Sequence, residues 1–134
     1  MGILRRLMQR AAVKIKRRLS DMSDCIFCKL ANGEIPTDMV YEDEQIAVFR
    51  DTAPQAPVHM LMVPKVHVAS LDDLTNEHAE LMAHMMLKIK DVCAQEGLEI
   101  GYRCVINTGE DGQQTVKHLH IHILGKRAMQ WPPG

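Results

Sequence analysis

The sequence predicts an α+β fold: a five-stranded antiparallel sheet with one long and one short helix. Three observations predict it. Five short apolar segments are joined mostly by short turns, as in an antiparallel sheet. One segment, Thr75 to Glu96, carries helical periodicity instead. At 134 residues, 46% hydrophobic and 25% charged, the chain has the size and composition of one soluble globular domain.

The elements follow in order. "CIFCKLANGE" predicts a short helix ending near Gly33, before Pro36. "MVYED" and "QIAVFRD" predict a hairpin around Asp43-Glu44. "APQAP" is a proline-rich loop that neither a helix nor a central strand accommodates. "VHMLMVPK" predicts a third strand ending near Pro64. In the long helix Met82, Met85, Met86, Ile89, Val92 and Cys93 form one stripe for core packing, and Thr75 is the expected N-cap. His78 and His84 on this helix read as ordinary surface or boundary residues. "YRCVIN" is the fourth strand, "TGEDGQQ" a polar loop and "VKHLHIHIL" the fifth strand. Cys93 and Cys104 are expected on core faces.

Charge divides the chain. Residues 1–21 hold seven of the sixteen Lys/Arg and one of the seventeen acids, so residues 22–134 carry a net −7. An acidic domain is a poor ligand for nucleic acid, and none is expected as a partner. Leu4, Met8, Ala11, Ile15 and Leu19 follow helical spacing among the leader's bases. The leader reads as a basic amphipathic helix for a surface or for organelle targeting, or, the reading favoured on sequence, as an appendage ahead of Met22. No apolar run approaches the roughly 18 residues of a transmembrane helix.

Four cysteines and no secretory signal point to a reducing, cytoplasmic setting. There Cys25-Ile-Phe-Cys28 reads as a metal or redox pair.

The stretch "TVKHLHIHIL" carries His118, His120 and His122 at alternate positions. On a strand these share one face with Val116, while Leu119, Ile121 and Ile123 turn to the core. Three readings compete: a solvated face, a metal site, or catalysis. Solvated faces are far more often Thr, Lys and Glu. Three in-line histidines reach one tetrahedral metal poorly. A neutral imidazole attacks phosphorus well, and a neighbour donates to phosphate oxygens. The preceding polar loop, with Gln114 and Thr115, suits a phosphate, and that context favours catalysis.

His118-Leu-His120-Ile-His122-Ile-Leu124 resembles the signature of the histidine triad (HIT) superfamily. "IFCKLANGEIP", "VYEDEQIAVFRD", "PQAPVHMLMVPKVH", "GYRCVINTGEDGQQ" and "WPPG" look like its Hint branch, the nucleoside phosphoramidases. The likeness covers about residues 24–134, so the domains are expected as a leader, 1–21, and a HIT domain, 22–134.

The resemblance implies hydrolysis of purine nucleoside 5′-phosphoramidates, adenosine preferred, through a nucleotidyl-histidine. By position His120 is the nucleophile, His122 contacts phosphate and leaving group, His118 orders the strand or binds metal, and His59 supports the nucleophile's orientation. Ile26, Phe27, Leu30 and Phe49 match the walls around a purine, Asp51 the ribose contact, and Asn107, Gln114, Thr115 and Val116 nucleotide contacts beside His120 and His122. Gln113 stands where the branch commonly has glycine, and Thr115 where it commonly has serine. Arg50 and Thr52 also depart from the branch. The chemistry needs no cofactor. A structural Zn²⁺ on Cys25, Cys28, His67 and His118 is implied by bacterial relatives. A homodimer with sheets joined across a two-fold axis is implied as well. The alternatives are a dinucleoside polyphosphate hydrolase or nucleotidyl transferase of the same superfamily, or a nucleotide-binding interaction module.

Overall fold

A computed structural model describes residues 2–10 and 24–134. Helix α1 runs over the described residues 2–10, all of them exposed; residues 1 and 11–21, the rest of the expected leader, lie outside the described residues. The domain then runs α2 (Ile26–Ala31), β1 (Met39–Glu42), β2 (Ile46–Arg50), β3 (Val58–Pro64), α3 (Ala79–Gln95), β4 (Tyr102–Val105) and β5 (Ile121–Gly125). The five strands form one antiparallel sheet in the order β1-β2-β3-β5-β4. The expected α+β class and sheet are present.

The hairpin closes on Asp43. Its Oδ1 accepts the N–H groups of Gln45 and Ile46, and its Oδ2 accepts the Tyr41 hydroxyl. His84 on α3 reaches the same Oδ2 at 2.6 Å. Burial opposes ionisation here, but these hydrogen bonds outweigh it and hold the carboxyl well below its usual range. His84 therefore clips α3 to the hairpin, a role its sequence context did not mark.

Strands β2 and β3 are buried on both faces. Ile46, Val48, Met60 and Met62 pack with Leu81, Met85, Ile89, Val92, Ile121 and Ile123 under α3. Ala47, Phe49, Leu61 and Val63 pack with Cys25, Phe27, Cys28 and Ala31 under α2. A sheet covered on both sides reads as continuous apolar runs, which is why "QIAVF" does not alternate. Full burial of one such side chain stabilises by about 1.5–3 kcal/mol.

Three expectations need correction. The fifth strand begins at Ile121, so His118 and His120 precede the ladder. Beyond Met62↔Ile121 the partner strand reaches Pro64, which has no N–H to donate; the incoming chain bonds sideways instead, Leu119 N–H to the Val68 carbonyl. Met86 is 48% exposed; the α3 stripe passes through Leu81, Met85, Ile89 and Val92. Cys104 pairs with Ile123 and so shares the α3 face, but β4 is the sheet's edge and the thiol is exposed. Cys93 is buried as expected. The long helix also opens with a 3-10 turn, Asn76–His78, whose N-cap Thr75 donates its N–H to His78 Nδ1.

Candidate active site and metal cluster

The odd residues of β3 and the even residues of β5 share the α2 face. Leu61 lies opposite His122 and His59 opposite Leu124, so His59 and His122 are diagonal neighbours. Their rings meet, His59 Nε2 to His122 Nδ1, at 2.8 Å. His120 follows the same line toward α2, where the Phe27 ring stands edge-on to it at 4.9 Å. His120 and His122 ring centroids are 5.0 Å apart. The structure thus brings His59, His120 and His122 together.

Hydrogen bonds assign the proton on each ring. His120 Nδ1 lies 2.6 Å from the His118 carbonyl, which only accepts. Nδ1 therefore carries the hydrogen, and neutral His120 keeps its lone pair on Nε2. His59 Nδ1 accepts the Gln55 N–H at 3.0 Å, so the proton of neutral His59 sits on Nε2. That proton points to His122 Nδ1, which leaves the His122 hydrogen on Nε2. One ring thus offers a lone pair at Nε2, and its neighbour offers an N–H at Nε2.

Burial keeps all three rings neutral. It is the main cause of the lowered pKa of His59, His120 and His122; for His122 it acts with the charges of His120 and His59 and brings the value to about 4. Asp51 opposes the shift at all three. Its Oδ2 stands 3.4 Å from His59 Nε2, and its Oδ1 accepts the Ala53 N–H.

Of the other expected contacts, Phe49 is 1% exposed and meets the Phe27 ring edge-on. Ile26 is 42% exposed beside it, and Leu30 is half-buried. Ile26, Thr115 and Val116 line a cavity of about 290 Å³ with Asp24, Cys25 and Lys117. Asn107 is half-buried just beyond β4. The Gln114 amide holds the loop together: its Nε2 donates to the carbonyls of Ala69 and Val116, and its Oε1 accepts the Gly109 N–H. Gln113 adopts φ +61°, the left-handed conformation that glycine takes without strain. At Gly112 an added Cβ would collide with the Thr108 carbonyl, so the loop closes tightly there.

Among the described residues two groups could offer ligands to a metal: Cys25, Cys28, His67 and His118, and Asp51, His59 and His122. Their tautomers separate them. His118 Nε2 donates to the Pro64 carbonyl at 2.8 Å, so its Nδ1 lone pair faces Cys25 Sγ at 3.3 Å and Cys28 Sγ at 3.4 Å. Cys28 Sγ is 3.2 Å from His67 Nδ1. A tetrahedral zinc with ordinary Zn–S and Zn–N bonds needs S···N edges of about 3.5 Å. The first group fits. Burial, then Cys25, pushes the Cys28 thiol up to about 12, and a cation among the four would reverse that. In the second group the hydrogen of His59 occupies Nε2, the atom a metal would need, and is given to His122, with Asp51 at 3.4 Å.

Sequence reasoning missed the acceptors and donors that fix these rings: the Pro64 and His118 carbonyls and the Gln55 N–H. Backbone groups leave no mark in residue identity. The sequence also gave no sign of the His59–His122 contact.

Comparison with known proteins gives the family. Residues 24–131 match the family model described as "Scavenger mRNA decapping enzyme C-term binding". The chain is 57% identical to a HIT-like protein of Synechococcus elongatus over 83% of this chain and 97% of that one. It is 49% identical to the 14 kDa zinc-binding protein of Zea mays, over 88% and 93%. Among solved structures, a HIT family hydrolase from Legionella pneumophila superposes with a TM-score of 0.81 at 48% identity, over 83% of this chain and 100% of the other.

Proposed function

Because the chain belongs to the histidine triad superfamily of nucleotide hydrolases, we propose that it cleaves the P–N bond of purine nucleoside 5′-phosphoramidates, with adenosine preferred. The observation that carries the reading is the tautomer of His120: Nδ1–H on the His118 carbonyl and a bare Nε2.

His120 Nε2 attacks the α-phosphorus. The Nε2–P bond forms and the P–N bond breaks. The nitrogen, protonated from solvent in the bound substrate, leaves as a neutral amine with the electron pair. His122 Nε2–H donates to a phosphoryl oxygen and to the nitrogen as its lone pair appears. Water then attacks the nucleotidyl-histidine, sheds a proton to solvent, and frees a nucleoside monophosphate and neutral His120. Ile26, Phe27, Leu30 and Phe49 wall the base; Asp51 holds the ribose; Asn107, Gln114, Thr115 and Val116 line the phosphate side.

Cys25, Cys28, His67 and His118 hold a structural zinc in this reading, supported by the fit of the four donors and by the zinc-binding relative in Zea mays. With four protein ligands such an ion would cross-link the segments that carry them and would leave no open position for catalysis. The assembly is a homodimer at the β4 edge, supported by exposed Ile100, Tyr102 and Trp131 near it. The setting is cytoplasmic, supported by four unpaired cysteines.

The test is a kinetic panel of adenosine, guanosine and pyrimidine phosphoramidates beside dinucleoside polyphosphates. The expected order of kcat/KM puts adenosine phosphoramidate first. A dinucleoside polyphosphate in first place replaces the reading.

A further inference from the structure

The leader remains outside the chemistry above. Helix α1 is exposed along all of 2–10, including Ile3 at 78%, Leu4 at 67%, Leu7 at 57% and Met8 at 66%. At 3.6 residues per turn these four fall within an arc of roughly 140°. Arg5 and Arg10 flank that arc, and Arg6 and Gln9 lie opposite. Large apolar side chains on one side, with Arg5, Arg6, Arg10 and Gln9 around them, make an amphipathic surface whose apolar stripe is exposed among the described residues. The sequence of residues 11–21, which lie outside the described residues, keeps the spacing with Ala11, Ile15 and Leu19 and adds Lys14, Lys16, Arg17 and Arg18.

We propose that helix α1 docks this protein on an anionic lipid surface, with Ile3, Leu4, Leu7 and Met8 entering the acyl boundary and Arg5, Arg6 and Arg10 meeting the headgroup phosphates.

Charge and apolar area together select this partner. Seven bases against one acid in residues 1–21 call for an anionic surface. Nucleic acid satisfies the charge but leaves the apolar stripe in water. The chain's own domain is acidic, yet the stripe is exposed. A second copy of the helix would cover the stripe but bring the flanking Arg5 and Arg10 against like charges along the seam. A lipid surface takes both: apolar groups sink to the acyl boundary, and the long arginine stems reach back to the phosphates. No helix among the described residues is long and apolar enough to cross a membrane, so the contact is interfacial.

The test is flotation of the full chain with vesicles of phosphatidylcholine alone and of roughly 3:1 phosphatidylcholine to phosphatidylserine. Binding is expected on the anionic vesicles only, weakening as salt rises from about 0.1 to 0.5 M. Leu4→Glu with Leu7→Glu, and separately Arg5→Glu with Arg6→Glu, are each expected to weaken binding about tenfold or more, with the thermal midpoint and near-UV spectrum unchanged. No flotation on anionic vesicles overturns the proposal. So does flotation that survives Leu4→Glu with Leu7→Glu. Binding to duplex DNA without vesicle binding overturns it in favour of a polyanion, and a change of oligomeric state in that variant without vesicle binding does so in favour of a second copy.

Discussion

The Nδ1–H of His120 donates to the carbonyl of His118, 2.6 Å away, within the same short stretch of chain. A histidine two residues upstream thus sets the tautomer of its neighbour through the backbone. It also links the two centres, because the His118 ring turns its Nδ1 to the cysteines.

The first consequence is a pH profile. Burial lowers the His120 pKa, so the ring stays neutral below the ordinary histidine value of about 6.5. The acid limb of kcat/KM is expected below pH 6.5, and half-loss at or above that value contradicts it. Stability follows the same sign. His122 titrates at about 4 when folded and near 6.5 when unfolded, so the unfolded chain takes up the proton first. Its contribution is complete above about 6.5 and is lost as pH falls toward about 4. Urea midpoints measured across that window are expected to decline with acidification.

His59 is a positioning residue in this scheme. Its Nε2–H holds the His122 proton on the outer nitrogen. His59→Ala is expected to lower kcat about 10²-fold with KM little changed. His59→Gln, whose amide retains an N–H donor, is expected to recover part of the loss. An equal loss in both, with KM raised, points to a packing role instead.

Zinc is expected at about one ion per chain by elemental analysis of purified protein. Cys25→Ser is expected to lose it and to lower the melting temperature by about 5 °C or more. Metal-free native protein of equal stability contradicts the site.

The phosphate loop carries strain at Gln113, φ +61°. Gln113→Gly removes it and is expected to raise stability by about 0.5–1 kcal/mol, read as a higher urea midpoint. Gly112→Ala acts the other way, because its Cβ has no room beside Thr108. A neutral or destabilising Gln113→Gly contradicts the reading of strain.

The sheet and α3 were legible because apolar runs and the Leu81–Met85–Ile89–Val92 spacing record burial directly. His118, His120 and His122 were legible because chemistry-bearing side chains repeat at strand spacing. What stayed hidden depends on backbone atoms or on edges. The start of β5 is set by Pro64 on the neighbouring strand, and the proton on each ring by carbonyls and an N–H from other segments. Cys104 sits on the expected face but at the open edge, and no local pattern tells an edge strand from a central one. The clip from Asp43 to His84 spans 41 residues and joins two positions that are unremarkable alone.

His120 is the nucleophile in this mechanism. The most direct measurement is intact and peptide mass spectrometry of protein acid-quenched or base-quenched during turnover of an adenosine phosphoramidate. One adenylyl group is expected on the peptide holding His120, stable to base and labile to acid as an N–P bond, and absent in His120→Ala, whose turnover is lost. An adduct on another residue, or full turnover by His120→Ala, would contradict it.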